Sequence, residues 1–156
     1  MSIRIAYLKH YPEEISALAK IWHSVLGSIW VPDIPIDRVE QRFREHLNDE
    51  SLPITFVAFD GNKLIGGASL RENDGIRPDL MPWLGSLVVD SKYQKMGIGG
   101  MLIAAIKQKA VELHFEKLYL FAFDPTLPAY YEKFDFNKIG MDEFKGYPVT
   151  VMATTL

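Results

Sequence analysis

The chain has no cysteine. That absence removes a disulfide framework, a thiolate zinc site and a cysteine nucleophile from the chemistry open to it. Its four histidines, His10, His23, His46 and His114, show no His-Glu-x-x-His spacing, so no metal site is expected. No block of Lys and Arg occurs. Seventeen basic against twenty acidic side chains give a formal net charge of -3, without the electrostatic footprint of a nucleic-acid binder. No run approaches the roughly 18 apolar residues of a membrane span, and Met1 to Ile5 lack the apolar stretch of a signal peptide. These absences point to a cytoplasmic protein with no nucleic-acid or membrane partner. They leave a homodimer open.

What is present suits one globular domain over residues 1–156, with 48% hydrophobic and 24% charged residues. Ile3 to Leu8 alternates as a strand does. Pro12-Glu13-Glu14 opens a helix whose apolar stripe runs Ile15, Leu18, Ile21, Trp22, Val25, Leu26 to a stop at Gly27. Asp37 is the expected cap of a second helix reaching Leu47. Ile54–Phe59 and Leu64–Leu70 read as strands joined by a turn at Asp60-Gly61-Asn62-Lys63. A polar loop from Glu72 to Pro82 leads into a strand from Leu84 to Val89. After it, Ile98, Leu102, Ile106, Ala110 and Leu113 mark a long amphipathic helix, followed by a strand from Leu118 to Phe123. Strand, helix and strand form a crossover unit, so these two strands are parallel neighbours. A short helix from Ala129 to Phe134 and closing strands Phe136–Ile139 and Val149–Thr154 complete an α+β order. Its sheet is mixed and mostly antiparallel, with one central parallel pair.

Gln94-Lys95-Met96-Gly97-Ile98-Gly99-Gly100 lies between strand and helix. Glycines there allow positive φ and bring backbone N–H groups of the first helical turn close to an anion. Lys92 and Lys95 add charge at the rim. The same residues also suit a tight turn with no ligand. A dinucleotide fingerprint fails because Leu102 stands where the third glycine belongs, although Asp124 does end the next strand. A P-loop fails because Met101 follows Gly100 where Lys-Ser/Thr is required.

With this motif the chain resembles the Gcn5-related N-acetyltransferase (GNAT) superfamily. Gln94-Lys95-Met96-Gly97-Ile98-Gly99 is similar to its Arg/Gln-x-x-Gly-x-Gly/Ala signature, and Ala129 to Phe136 resembles its Ala-x-x-Phe-Tyr-Glu-Lys-Leu-Gly-Phe segment. Asp135 replaces the usual glycine, and aspartate tolerates the left-handed conformation such a turn needs. Asp124 stands where many members have asparagine, so no cofactor role is carried over to it. The resemblance implies the GNAT fold, with its central parallel strands splayed and flanked by helices. It implies acetyl-CoA bound in that gap, and an amine of a small molecule or peptide as acceptor. Cofactor contacts would come from Leu87, Val88 and Val89 along the pantetheine arm, and from Gln94, Lys95, Met96, Gly97, Ile98, Gly99 and Gly100 around the pyrophosphate. A non-catalytic acyl-CoA sensor on the same fold is the competing reading.

Direct transfer needs an amine stripped of its proton and a proton for the departing thiolate. Tyr131, at the position the family gives to tyrosine, is the expected donor, and Tyr130 is expected to pack. Glu72 is the expected general base, with Asp74 and Asp79 as alternatives in the same loop. Trp30 is expected to line the acceptor site together with Asp79. Trp83 either covers that site or seals the sheet edge, and Trp22 is expected in the core. Were the loop acids to face the acceptor, they would favour a cationic amine.

Overall fold

A computed structural model describes residues 2–27 and 33–156, and among the described residues seven strands and four α-helices organise the fold. The strands are β1 (Ile3–Tyr7), β2 (Ile54–Asp60), β3 (Lys63–Arg71), β4 (Trp83–Val89), β5 (Lys117–Ala122), β6 (Asn137–Phe144) and β7 (Tyr147–Thr155). The helices are α1 (Ile15–Trp22), α2 (Ile36–Arg44), α3 (Ile98–Glu112) and α4 (Leu127–Glu132). Strand order is β1-β2-β3-β4-β5-β7-β6, and β4 with β5 is the parallel pair expected of the crossover unit. Among the described residues no helix is long and apolar enough to cross a membrane.

Period-two alternation divides the sheet's apolar residues between two faces. Ile54, Phe56, Leu84, Leu118 and Leu120 meet Ile98, Leu102 and Ile106 of α3. On the opposite face Val57, Phe59 and Val88 meet Ile15, Leu18 and Trp22 of α1 and Phe43 of α2. Each fully buried aliphatic side chain contributes about 1.5–3 kcal/mol of transfer free energy. Further along this second face, Trp83, Val149, Val151 and Ile76 form a smaller cluster under the loop before β4.

The parallel pair is barely a pair. Trp83 and Tyr119 are its single point of register, closed by the Tyr119 N–H donating to the Pro82 carbonyl at 3.0 Å. The local cause lies in β4. Gly67 faces Val88 while Ser69 faces Gly85, which leaves one extra residue on β4, and Ser86 takes a left-handed φ of 52° there. A bulge of this kind bends its strand and re-aims the side chains around it.

Some boundaries depart from expectation. Pro35, not Asp37, is the residue before α2, and Asp37 lies inside the first turn. Proline's fixed φ suits a helix entry, where its missing N–H has no intrahelical partner to lose. The last hairpin is longer than its apolar residues suggest, because Lys145 (φ 51°) and Gly146 (φ 86°) make a two-residue turn that carries β6 to Phe144. A π-helical turn, His23–Gly27, extends α1.

Candidate active site

Where β4 and β5 part, a cavity of about 360 Å³ opens between them. Its walls come from both faces of the sheet: Trp22, Arg42 and Asp74 from the α1–α2 face, Leu84, Leu120 and Tyr131 from the α3–α4 face. The cavity therefore crosses the sheet through the gap.

The edge of β4 along this gap carries unpaired backbone. The Asp90 N–H donates to the Ile65 carbonyl at 2.7 Å, so alternation turns the backbone groups of Val89 and Leu87 away from β3 and toward the gap. Gln94 uses that direction: its side-chain amide donates to the Val89 carbonyl at 3.1 Å and ties the following loop to the strand. By the same alternation Val88 turns its backbone to β3 and its side chain into the α1 core. Trp22 is 7% exposed, as a core residue should be, but its indole N–H donates to Ser86 Oγ at 3.2 Å and so braces the bulge.

Of the loop acids, Asp74 is the one that reaches the cavity. Its side chain is 12% exposed, takes a hydrogen bond from Arg71 Nη1 at 3.0 Å, and lies against Gly85, where an added Cβ would meet Asp74 Oδ1 at 2.8 Å. Burial pushes the Asp74 carboxyl up to about 6, against the opposing pull of Arg71 and Arg42. Glu72 lies elsewhere. It is exposed and lines a separate depression with Leu113 and Phe115, because the residue after Arg71 continues the strand's alternation onto the opposite face. Asp79 also misses the cavity, with a side chain 61% exposed and clamped by Arg77 through contacts of 3.1 and 3.0 Å. Trp83 is fully buried and donates to the Leu80 carbonyl at 2.8 Å, so it seals the sheet instead of lining the cavity. Trp30 lies outside the described residues. Arg42 and Arg71, which the sequence did not single out for the site, both line the cavity.

The glycine turn divides its labour. Gly97 stands before α3 with φ 83° and nothing within 4 Å of the position a Cβ would take, and no side chain caps the helix. The first intrahelical bond runs from Met101 N–H to the Gly97 carbonyl, so the N–H groups of Ile98, Gly99 and Gly100 have no helical acceptor. Lys95 and Met96 are exposed beside them, while the Ile98 side chain is core. Gly99 and Gly100 serve packing. A Cβ at Gly99 would collide with the Tyr130 hydroxyl, and one at Gly100 would come within 2.9 Å of the Phe134 ring. Tyr130 thus packs α4 onto the start of α3. Tyr131 faces the cavity from α4, edge-on to Tyr130 and Phe136 with ring centroids 5.3 and 6.1 Å away. Burial, with the neighbouring Tyr130, pushes its phenol above the ordinary range, so it keeps its proton. Asp135, with φ 69°, takes the left-handed turn expected of it.

An uncapped helix start with open space above it suits a phosphate anion, and an unpaired strand edge suits an amide-bearing arm. Residues 18–136 match the family model described as the acetyltransferase (GNAT) family. The chain belongs to this family. It is an acetyltransferase, and the acetyl donor of the family is acetyl-CoA. The fold is shared with an aminoglycoside 6'-N-acetyltransferase complexed with coenzyme A, at 20% identity and a TM-score of 0.75 over 99% of this chain and 97% of that one. The ribosomal-protein-S18-alanine N-acetyltransferase from Escherichia coli gives 18% identity and a TM-score of 0.72 over 99% and 94% of the two chains. A GNAT-family acetyltransferase from Streptococcus pneumoniae gives 18% and 0.72 over 99% and 100%. Comparison by sequence with curated proteins finds no match.

Proposed function

We propose that the protein transfers acetyl directly from acetyl-CoA to a primary amine, with Asp74 as general base and Tyr131 as proton donor. The observation that carries this reading is one cavity crossing the sheet, with a carboxylate of raised pKa on one side and a desolvated phenol on the other. Acetyl-CoA, when bound, supplies the thioester. The N–H groups of Ile98, Gly99 and Gly100 hold its pyrophosphate, with Lys95 adding charge and Met96 and Gly97 shaping the loop. Leu87 offers its N–H and C=O groups and Val89 its N–H to the pantetheine arm. Gln94 acts by fixing the loop to β4. Asp74 takes a proton from the incoming ammonium so that the nitrogen can form the amide bond as the carbon–sulfur bond breaks. Tyr131 gives its proton to the departing thiolate and is reprotonated, through solvent, by the second proton that the nitrogen sheds as the amide forms, while Asp74 releases its proton to water. Asp74, the alternative in the same loop, takes the role that the sequence suggests for Glu72, since a base must come within hydrogen-bond reach of the amine. The setting is cytoplasmic, and the acceptor is a small molecule ahead of a protein.

Thermal melting followed by a thiol-release assay tests the proposal. Acetyl-CoA at 100 times its dissociation constant should add about 2.7 kcal/mol to folding stability. Thiol release should follow with amines. Tyr131→Phe should lower kcat by more than it changes acetyl-CoA affinity. Asp74→Asn should cost roughly 10²–10⁴-fold in kcat/KM near neutrality, recovering partly as higher pH deprotonates the free amine, whereas Glu72→Gln should behave as wild type. In the unaltered enzyme kcat/KM should rise with pH to a plateau above about 6, the Asp74 value. Stabilisation by acetyl-CoA without turnover of any amine would make the protein a sensor.

A further inference from the structure

The acceptor half of the cavity has a charge pattern that the acetyltransferase reading does not require. Among the described lining residues the charged groups are Arg42, Arg71 and Lys145 against a single carboxylate, Asp74. The chain as a whole is acidic, with a formal net charge of -3, so this local excess of positive charge does not reflect composition. Arg71 is engaged by Asp74 at 3.0 Å. Arg42 forms no ion pair among the described residues. It reaches the cavity from α2 at the rim, where partial burial disfavours its charge and the neighbouring Arg71 cation adds to that cost. Lys145 closes the opposite wall from the β6–β7 turn. Between these charges the walls are aromatic, from Trp22, Phe121, Phe123 and Phe144.

Two neighbouring cations at a half-dry wall are stabilised by an anion placed between them. The planar guanidinium of Arg42 offers parallel donors that match a carboxylate. Asp74, beside them, suits the ammonium. We infer that the acceptor is a small zwitterion of the α-amino-acid type, whose carboxylate is held by Arg42 with Arg71 and whose amine is presented to Asp74, with an apolar side chain against the aromatic walls. The inference rests on the acetyl-transfer reading above and specifies its substrate. It reverses the preference for a cationic amine that the acidic loop suggested. It also disfavours a peptide N-terminus, where an uncharged amide stands in place of the carboxylate, and a polyamine, which the cavity's cations repel.

The test compares phenylalanine, leucine and methionine with their carboxamides, and with benzylamine and putrescine, by thiol release in wild type, Arg42→Gln and Arg42→Glu. Arg42 is exposed at the rim, so its replacement leaves the core intact. In wild type each amino acid should exceed its carboxamide in kcat/KM by about 10- to 100-fold, the range of a charge-assisted hydrogen-bonded contact. That preference should fall to within a few-fold in Arg42→Gln and invert in Arg42→Glu. Comparing the preference between variants cancels the different basicities of the two amines. Turnover of benzylamine or putrescine with no advantage for the amino acids would overturn the zwitterion and leave acetyl transfer standing. Melting of the coenzyme A-loaded protein supplies a second readout for the case in which no amine is turned over. There, stabilisation by the amino acids but not their carboxamides, lost in Arg42→Gln, would sustain the anion site while acetyl transfer falls; no stabilisation would overturn both.

Discussion

Asp74 and His46 are displaced in opposite directions, and burial is the leading cause for each. The His46 ring, 3% exposed, bonds Thr55 Oγ1 through Nδ1 at 2.8 Å, and Thr55 in turn meets Ser69 Oγ at 2.6 Å. Burial, with the charges of Arg71 and Arg42, lowers His46 from 6.5 to about 4. Between those values the unfolded chain takes up a proton that the folded one refuses, so His46 lowers stability as pH falls from 6.5 to about 4. Asp74 does the reverse. Its folded value of about 6 exceeds the ordinary 3.8, so the folded state holds the proton in that window and gains stability as pH falls through it. Each slope approaches about 1.4 kcal/mol per pH unit at most, so the two largely cancel. Relative to wild type, His46→Asn should gain stability on acidification from pH 6.5 to 4.5, and Asp74→Asn should lose it more steeply. Urea midpoints at those two pH values decide the matter, and parallel curves for all three proteins would refute both assignments. Neither residue's role was legible in the sequence. Glu72 and Asp74 are equivalent there as loop acids, and what separates them is the alternation after Arg71 and the space left by Gly85. Trp22 fell correctly on an apolar stripe, but periodicity carries no information about where an indole N–H points.

At the level of elements, apolar runs and alternation bounded by turn residues located each strand of the described residues and both strands of the crossover, because burial writes itself directly into the spacing of apolar residues. The β4 bulge left no such trace. Ser86 takes its left-handed φ where the Trp22 indole N–H meets its hydroxyl, and nothing in Leu84-Gly85-Ser86-Leu87 announces it. The terminal hairpin is longer than the sequence suggests for a related reason, since Lys145-Gly146 is not one of the Asn-Gly or Asp-Gly pairs that mark two-residue turns. The glycine turn was legible as a motif while its division of labour was not. That division gives a prediction about two helices. Gly99→Ala places a Cβ against the Tyr130 hydroxyl, so α4 must shift on α3, and overpacking of this kind costs about 1–3 kcal/mol. Tyr130→Phe removes the obstructing oxygen, so the double variant should recover most of the lost melting temperature, a strong coupling between contacting residues. Gly97→Val is the complementary change. It meets no neighbour, strains a φ of 83° by about 1–2 kcal/mol, and should weaken acetyl-CoA binding by more than it lowers stability. Additive losses for Gly99→Ala and Tyr130→Phe would show that the two helices do not meet through this contact.

For the molecule as a whole, the sheet is a continuous hydrogen-bonded surface with one seam. Registered pairs join β1 to β2, β2 to β3, β3 to β4, and β5 through β7 to β6, whereas β4 and β5 share only Trp83 with Tyr119. The two halves of the sheet are otherwise held together by α3, which packs under both, and by side chains across the cavity. Backbone groups along the seam lack the interstrand partners that slow amide exchange elsewhere, so local opening should concentrate there. A ligand lying in the seam supplies those partners. Acetyl-CoA should therefore slow hydrogen exchange at Leu87 and Val89 of β4 and at the Ile98, Gly99 and Gly100 amides. Amides of the β1–β2 and β6–β7 pairings, already bonded, should change little. Adding phenylalanine to the coenzyme A complex should extend protection to the segment around Asp74 and to Arg42 at the end of α2, on the other face of the sheet. The pattern is specific enough to fail: protection spread evenly over the sheet would mean general stabilisation without occupancy of the seam, and protection confined to the β6–β7 hairpin would put the cofactor on a different surface altogether.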